Sequence, residues 1–314
     1  MLRYVKIALA LSIIAFLLYT VNLEQLLGAL ANLTWPIAIY LVFLTVVLIV
    51  VSALKWKFFL ESLGATVRLG HLVKLYVLGY FVNLIMPSYL GGDLVRSWYV
   101  GRKVGQHAAL SATILERYTG ILAMLVLALC FMWFVDLVTW EIKTAVIVLT
   151  AVMFVGTFLA LTPRVLRVLL RFRYLRPFHR HAEKIQNCFL LVKANPGILK
   201  KTLILSFIFH SVTVLNTMAA GYAVGWFDPP IWDLFVILPL ILIIGALPIA
   251  PSGLGIQEGA FFFFLVGIGA TPAQALGVGI VLRIKQYLVA LLGGVFWLQM
   301  KAEPELQELV DKQP

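Results

Sequence analysis

Charge is what this sequence has least of. Charged side chains form 12% of its 314 residues and hydrophobic ones 62%. A soluble domain carries about 25% charge. The chain therefore has too little polar surface to cover a water-soluble fold, and its mean hydropathy of +1.00 agrees. Acids are scarcer than bases, 14 against 25, giving a net charge of +11. Cysteine is nearly missing: Cys130 lies in an apolar run and Cys188 in a basic stretch, which excludes a disulfide framework. Histidines 71, 107, 179, 181 and 210 are scattered, and the close pair at 179 and 181 reads as a solvated face. Gly-x-Ser-x-Gly, Walker, His-Glu-x-x-His and Cys-x-x-Cys patterns are all absent. No metal and no cofactor is expected, and any transport must run without ATP, passively or coupled to an ion.

What is there is apolar sequence in helix-length runs. Spans of about 5–21, 37–54, 108–135, 144–162, 202–226 and 274–298 are each long enough to cross roughly 30 Å of hydrocarbon at 1.5 Å per residue. The N-terminal run could be a signal peptide, but no small-residue cleavage site follows Tyr19-Thr20, so a retained first helix is expected. Two more apolar regions, about 72–90 and 234–270, are broken by Pro and Gly. The segment 163–201 carries ten Arg and Lys and one acid, Glu183, and is expected to be a cytoplasmic loop. Arg3 and Lys6 put the N-terminus on that side, and Lys55, Lys57, Arg68 and Lys74 follow the second span there. If 72–90 crossed fully, every later loop would invert. Its uninterrupted part, Leu75 to Met86, covers only about 18 Å. It is read as re-entrant from the cytoplasm, the alternative being a tilted full span. Whether 234–270 is re-entrant or two spans stays open. The expectation is an all-α polytopic membrane protein of one transmembrane domain, 1–300, with a short cytoplasmic tail, 301–314. It has six full transmembrane helices and two Pro/Gly-broken hairpins, and it sits in the bacterial cytoplasmic membrane. The net charge needs no nucleic acid to explain it.

The broken regions resemble each other. Pro87-Ser88-Tyr89-Leu90-Gly91-Gly92-Asp93 and Pro251-Ser252-Gly253-Leu254-Gly255-Ile256-Gln257-Glu258 both read Pro-Ser-x-Leu-Gly followed by an acid. In each unit a full span follows with an arginine seven residues after a leucine, Leu110 to Arg117 and Leu276 to Arg283. The units, about 72–135 and 234–298, are offset by 164 to 166 residues, and three spans separate the turns. An odd number of crossings makes this an inverted repeat, the arrangement that builds transporter sites from interrupted helices.

A helix that begins inside the membrane offers backbone N–H groups and a positive dipole end to an anion. The turns at 87–92 and 251–255 are two such starts, and Gly91, Gly92, Gly253 and Gly255 would let a phosphate oxygen approach. Asp93, Arg96, Glu116, Arg117, Glu258, Arg283 and Lys285 lie nearby. Charges in the bilayer are costly, so each is expected to be paired or functional. Two arrangements remain open. Arg117 and Arg283 contact a lipid phosphate, or they pair across the repeat, Arg117 with Glu258 and Arg283 with Glu116.

Asn83 through Arg96 (NLIMPSYLGGDLVR), Glu116-Arg117 with Gly120, and Pro251 through Gly259 (PSGLGIQEG) resemble the lysylphosphatidylglycerol synthase transmembrane-region family, also called flippase-like or UPF0104. The resemblance covers roughly 5–300. The matching positions are Pro87, Gly91, Gly92, Asp93, Arg96, Glu116, Arg117, Pro251, Gly253, Gly255 and Glu258. The family includes the membrane half of bacterial aminoacyl-phosphatidylglycerol synthases, linked to flipping the modified lipid. It also includes stand-alone proteins tied to hopanoid, glycolipid or polyprenyl-phosphate-sugar pathways. With no aminoacyltransferase domain in this sequence, the resemblance implies lipid handling and not lysyl transfer. The function expected is a flippase for an anionic phospholipid, glycolipid or polyprenyl-phosphate-linked lipid. The site would be Pro87, Ser88, Gly91, Gly92, Asp93, Arg96, Glu116, Arg117, Pro251, Ser252, Gly253, Gly255, Glu258 and Arg283, in a polar cavity between the hairpins. The alternatives are a scaffold for envelope-lipid or glycolipid synthesis enzymes, and a membrane enzyme using Asp93, Glu116 or Glu258 as acid or base.

Overall fold

The computed structural model describes residues 11–17, 19–21, 23–86, 91–163, 186, 189–190, 193 and 195–301. Among these the secondary structure is helical, with no strand. After a helical stretch within 11–20 come α1 (Leu23–Leu30), α2 (Trp35–Ser62), α3 (Leu69–Ile85), α4 (Gly91–Val104) and α5 (Gln106–Phe131). Then follow α6 (Trp140–Leu161), α7 (Pro196–Ala223), α8 (Ile231–Ala246), α9 (Ile256–Gly267) and α10 (Pro272–Lys301). Three long helices begin at or beside a proline: Pro36, Pro196 and Pro272. The missing N–H of proline is harmless there because first-turn amides have no intrahelical acceptor.

Among the described residues, five helical segments are long and apolar enough to cross a membrane: Trp35–Ser62, Gln106–Phe134, Trp140–Leu161, Pro196–Ala223 and Pro272–Gln299. The sixth expected span, about 5–21, lies partly outside the described residues. α6 is the most outward-facing of them, with Val148, Val152, Phe154, Val155 and Phe158 exposed. A helix apolar all round with an exposed apolar face needs lipid, not water, as its solvent. α8 is the opposite case. Leu234, Val236, Ile237 and Ile241 are buried, and Pro239 interrupts its hydrogen-bond ladder where neighbouring helices surround it.

The helix contacts repeat. α2–α3–α4–α5 and α7–α8–α9–α10 each run long helix, short apolar helix, break, short helix, long helix. Within the units, α3 packs on α4 as α8 packs on α9, and α4 packs on α5 as α9 packs on α10. α2 touches α3 and α5 as α7 touches α8 and α10. Between the units, α3 packs on α10, matched by α8 on α5, and α2 packs on α7. The match is imperfect, since α7 also packs extensively on α5 and α2 has no equally extensive contact with α10. Each structural unit thus begins one long helix before the broken segment that marks it in the sequence.

Small residues set the spacing at these contacts. A Cβ on Gly92 would lie 2.4 Å from the Gly79 carbonyl oxygen, so the arms of the first hairpin meet backbone to backbone. The second hairpin places Gly245 against the side chain of Gln257. A Cβ on Gly293 would lie 2.2 Å from the Val77 carbonyl oxygen, which fixes how closely α10 approaches α3.

Candidate functional site

The charged residues gather at the start of each second short helix. In the first unit, α4 begins with Gly91 and Gly92, and the Gly92 N–H donates to the Oδ1 of buried Asn83 at 2.7 Å. That satisfies one of the first-turn amides from within the hairpin. Asp93 follows in the first turn and accepts on both oxygens: Oδ1 from Arg96 Nε at 3.0 Å, Oδ2 from Arg117 Nε at 2.6 Å. Arg96 Nη2 continues to Glu116 Oε2 at 2.6 Å, where Tyr76 Oη also donates at 2.7 Å. The Arg96 guanidinium stacks 4.4 Å from the Trp56 ring and 4.2 Å from the Tyr76 ring. Four helices, α2, α3, α4 and α5, thereby meet at one buried cation.

Lys55 completes the cluster. Its Nζ lies 4.0 Å from Glu116 Oε1 and 3.5 Å from the Glu116 carbonyl oxygen, with the side chain 3% exposed. The sequence reading placed Lys55 with the bases flanking the second span. The structure corrects this: α2 runs on to Ser62, and Lys55 sits on its buried row with Leu48, Ser52 and Phe59. That row, spaced by four, three and four residues, was a signal available in the sequence. Lys57, by contrast, pairs with Glu61 one turn on, at 2.6 Å and partly exposed. Tyr76, Trp56 and His210 were also missed. His210 on α7 meets the Gly120 carbonyl oxygen at 2.9 Å, on the α5 face next to Lys55.

In the second unit, residues 251–253 form one 3-10 turn before α9. Ser252 holds a φ of +52°, unusual for a residue with a Cβ, and Gly253 and Gly255 have φ of +63° and +80°. Glu258, the third residue of α9, accepts from the Gly255 N–H on Oε2 at 2.7 Å, closing a capping box. Its Oε1 accepts from Arg283 Nε at 2.5 Å. Arg283 Nη1 donates to the Ser252 carbonyl oxygen at 2.7 Å, and Nη2 to Gly253 O and Gln257 Oε1, each at 3.3 Å. Every nitrogen of this guanidinium is therefore used to hold the turn and the acid of its own unit.

The sequence-expected residues thus fall into two groups. Asp93, Arg96, Glu116 and Arg117 come together beside Gly91 and Gly92, while Ser252, Gly253, Gly255, Glu258 and Arg283 come together at the second turn. Pro251 lies in that turn's backbone, and Pro87 and Ser88 lie outside the described residues. The arginines pair inside their units, Arg117 with Asp93 and Arg283 with Glu258, which corrects the cross-repeat pairing. The two are not equivalent. Arg283 is buried, whereas the Arg117 side chain is 50% exposed and uses only its Nε among the described residues.

A pocket of about 250 Å³ opens beside the second unit. Ile14, Leu17, Leu276 and Ile280 give it an apolar wall, and the Glu258–Arg283 pair and Tyr287 line its polar edge. It lies between the N-terminal helical stretch and α10, rather than between the two hairpins as the sequence reading expected.

The whole-chain comparison agrees with this architecture. A family model described as the lysylphosphatidylglycerol synthase TM region matches residues 3–294. A UPF0104 membrane protein of Methanothermobacter thermautotrophicus is 22% identical over 300 residues, spanning 86% of this chain and 87% of that protein. A UPF0104 membrane protein of Methanocaldococcus jannaschii is 30% identical over 111 residues, 34% of this chain and 32% of that protein. No solved structure matches the chain. With two Pro/Gly-broken helical units and a family match along nearly its full length, this multi-pass membrane protein belongs to the lysylphosphatidylglycerol synthase transmembrane-region family.

Proposed function

We propose that the protein is a flippase-like carrier that passes an anionic lipid headgroup through the bilayer at the first broken unit, without ATP. The observation that carries this reading is Arg117. Its Nε is anchored by Asp93 at 2.6 Å, yet half of its side chain is exposed and its two Nη groups are uncommitted among the described residues. A planar guanidinium held at one edge and open at the other is a fork for a phosphate. The carboxylates are poor candidates for acid–base chemistry. Asp93 and Glu258 accept on both oxygens, and Glu116 takes two donors on Oε2 with Lys55 facing Oε1. In this reading both hairpins are re-entrant and the units form an inverted repeat in a cytoplasmic membrane, with both termini cytoplasmic. The matched contacts of α3 with α10 and α8 with α5 support it.

The test is transfer of a fluorescent anionic phospholipid between leaflets of proteoliposomes. Arg117→Gln is expected to slow transfer at least about tenfold at near-parent thermal stability, because Asp93 keeps Arg96. Arg117→Lys is expected to fall between, since an ammonium cannot present the fork. Transfer by Arg117→Gln at the parent rate would remove the basis of this function.

A further inference from the structure

The two ion-pair clusters differ in charge as well as exposure. Arg283 and Glu258 cancel in the second. In the first, Lys55, Arg96 and Arg117 meet only Asp93 and Glu116 among the described residues, so formal charge leaves one positive in excess. The other polar groups facing the cluster, Tyr76 from α3 and His210 from α7, are formally neutral. The excess is also visible as unused donors. Among the described residues, Arg96 Nη1 and Trp56 Nε1 are both buried with no hydrogen-bond partner, on side chains that stack against each other. The Arg117 Nη groups add more. Lys55 has the weakest hold on an acid, at 4.0 Å from a carboxylate that Arg96 and Tyr76 already occupy. A surplus cation in hydrocarbon is unfavourable until an anion joins it.

We infer that the first unit is a site for one net negative charge, and that Lys55 sets this selectivity by charge without touching the ligand. The matching ligand is a lipid with a singly charged phosphodiester headgroup, held in preference to a zwitterionic lipid. This rests on the anionic-lipid function proposed above and narrows it to a charge count. Arg117 supplies the direct contact.

The experiment is competition for the purified full-length protein between dioleoyl phosphatidylglycerol, a monoanion, and dioleoyl phosphatidylcholine, a zwitterion. Bound lipid is read by native mass spectrometry. The parent should favour the monoanion by about tenfold or more. Lys55→Gln, which brings the cluster to neutrality, should lose most of that preference. Lys55→Gln with Glu116→Gln restores one net positive charge and should regain it to within about threefold. Lys55→Arg should keep it, which preserves the test if the glutamine variant does not fold. The charge rule fails if Lys55→Gln retains the parent preference. It also fails if the double variant, folded by circular dichroism, stays as unselective as the single, or if Lys55→Arg loses the preference. A parent that retains neither lipid would instead defeat the anionic-lipid function itself.

Discussion

At the scale of single residues, the two matched arginines sit in different surroundings, Arg283 buried and Arg117 half exposed. Arg283 holds three carbonyl or amide oxygens and a carboxylate around a turn in which Ser252 carries a φ of +52°. Removing one partner of a buried, hydrogen-bonded pair typically costs about 3–5 kcal/mol. Arg283→Gln should therefore lower stability by that order in chemical unfolding from detergent. Adding Glu258→Gln should recover part of the loss, because the stranded carboxylate is then neutral. Recovery by Glu116→Gln instead would point back to pairing across the repeat. Arg117→Gln is expected to unfold close to the parent, since its side chain is half exposed and Asp93 retains a second arginine.

At the scale of elements, the two short helices of the first unit meet backbone to backbone at Gly79 and Gly92. The 2.4 Å that would separate a Gly92 Cβ from the Gly79 carbonyl oxygen leaves no room for alanine, and the blocking atom is backbone. Overpacking of this kind costs roughly 1–3 kcal/mol. Gly92→Ala should lower the thermal midpoint and, by shifting Asp93, reduce lipid transfer along with it. Gly70, with open space around its Cβ position, is the control: Gly70→Ala should leave both unchanged. Equal behaviour of the two variants would show that α3 and α4 do not meet as closely as described.

At the scale of the whole molecule, the short helices of one unit lean on the long helix of the other, α3 on α10 and α8 on α5. A re-entrant first hairpin keeps the α4–α5 junction on the cytoplasmic side with the basic segment. Single cysteines replacing Arg102 and Arg173 should then both react with a membrane-impermeant maleimide only from the cytoplasm. Labelling of both positions from the outside would make α3 a full crossing, because the two spans α5 and α6 keep 102 and 173 on one side. It would also change the parity that relates the two units.

Much of this was legible in the sequence, and for local reasons. Low charge and helix-length apolar runs dictate a polytopic helical protein, because only closed backbone hydrogen bonding survives in hydrocarbon. The two Pro-Ser-x-Leu-Gly turns and the arginines that follow them marked both breaks, because proline and glycine act on their own backbone. Partner choice was not legible. Whether Arg117 reaches Asp93 or Glu258, and whether Lys55 flanks a span or enters the core, depends on how far α2 continues and how α3 and α4 rotate against each other. Close approach at Gly79 and Gly92 fixes that rotation. The sequence by itself determined which ionisable groups the membrane would have to accommodate. Only the tertiary structure decided which of them cancel and which one is left facing outward, because charge compensation at a few ångströms is a property of packing and not of spacing along the chain.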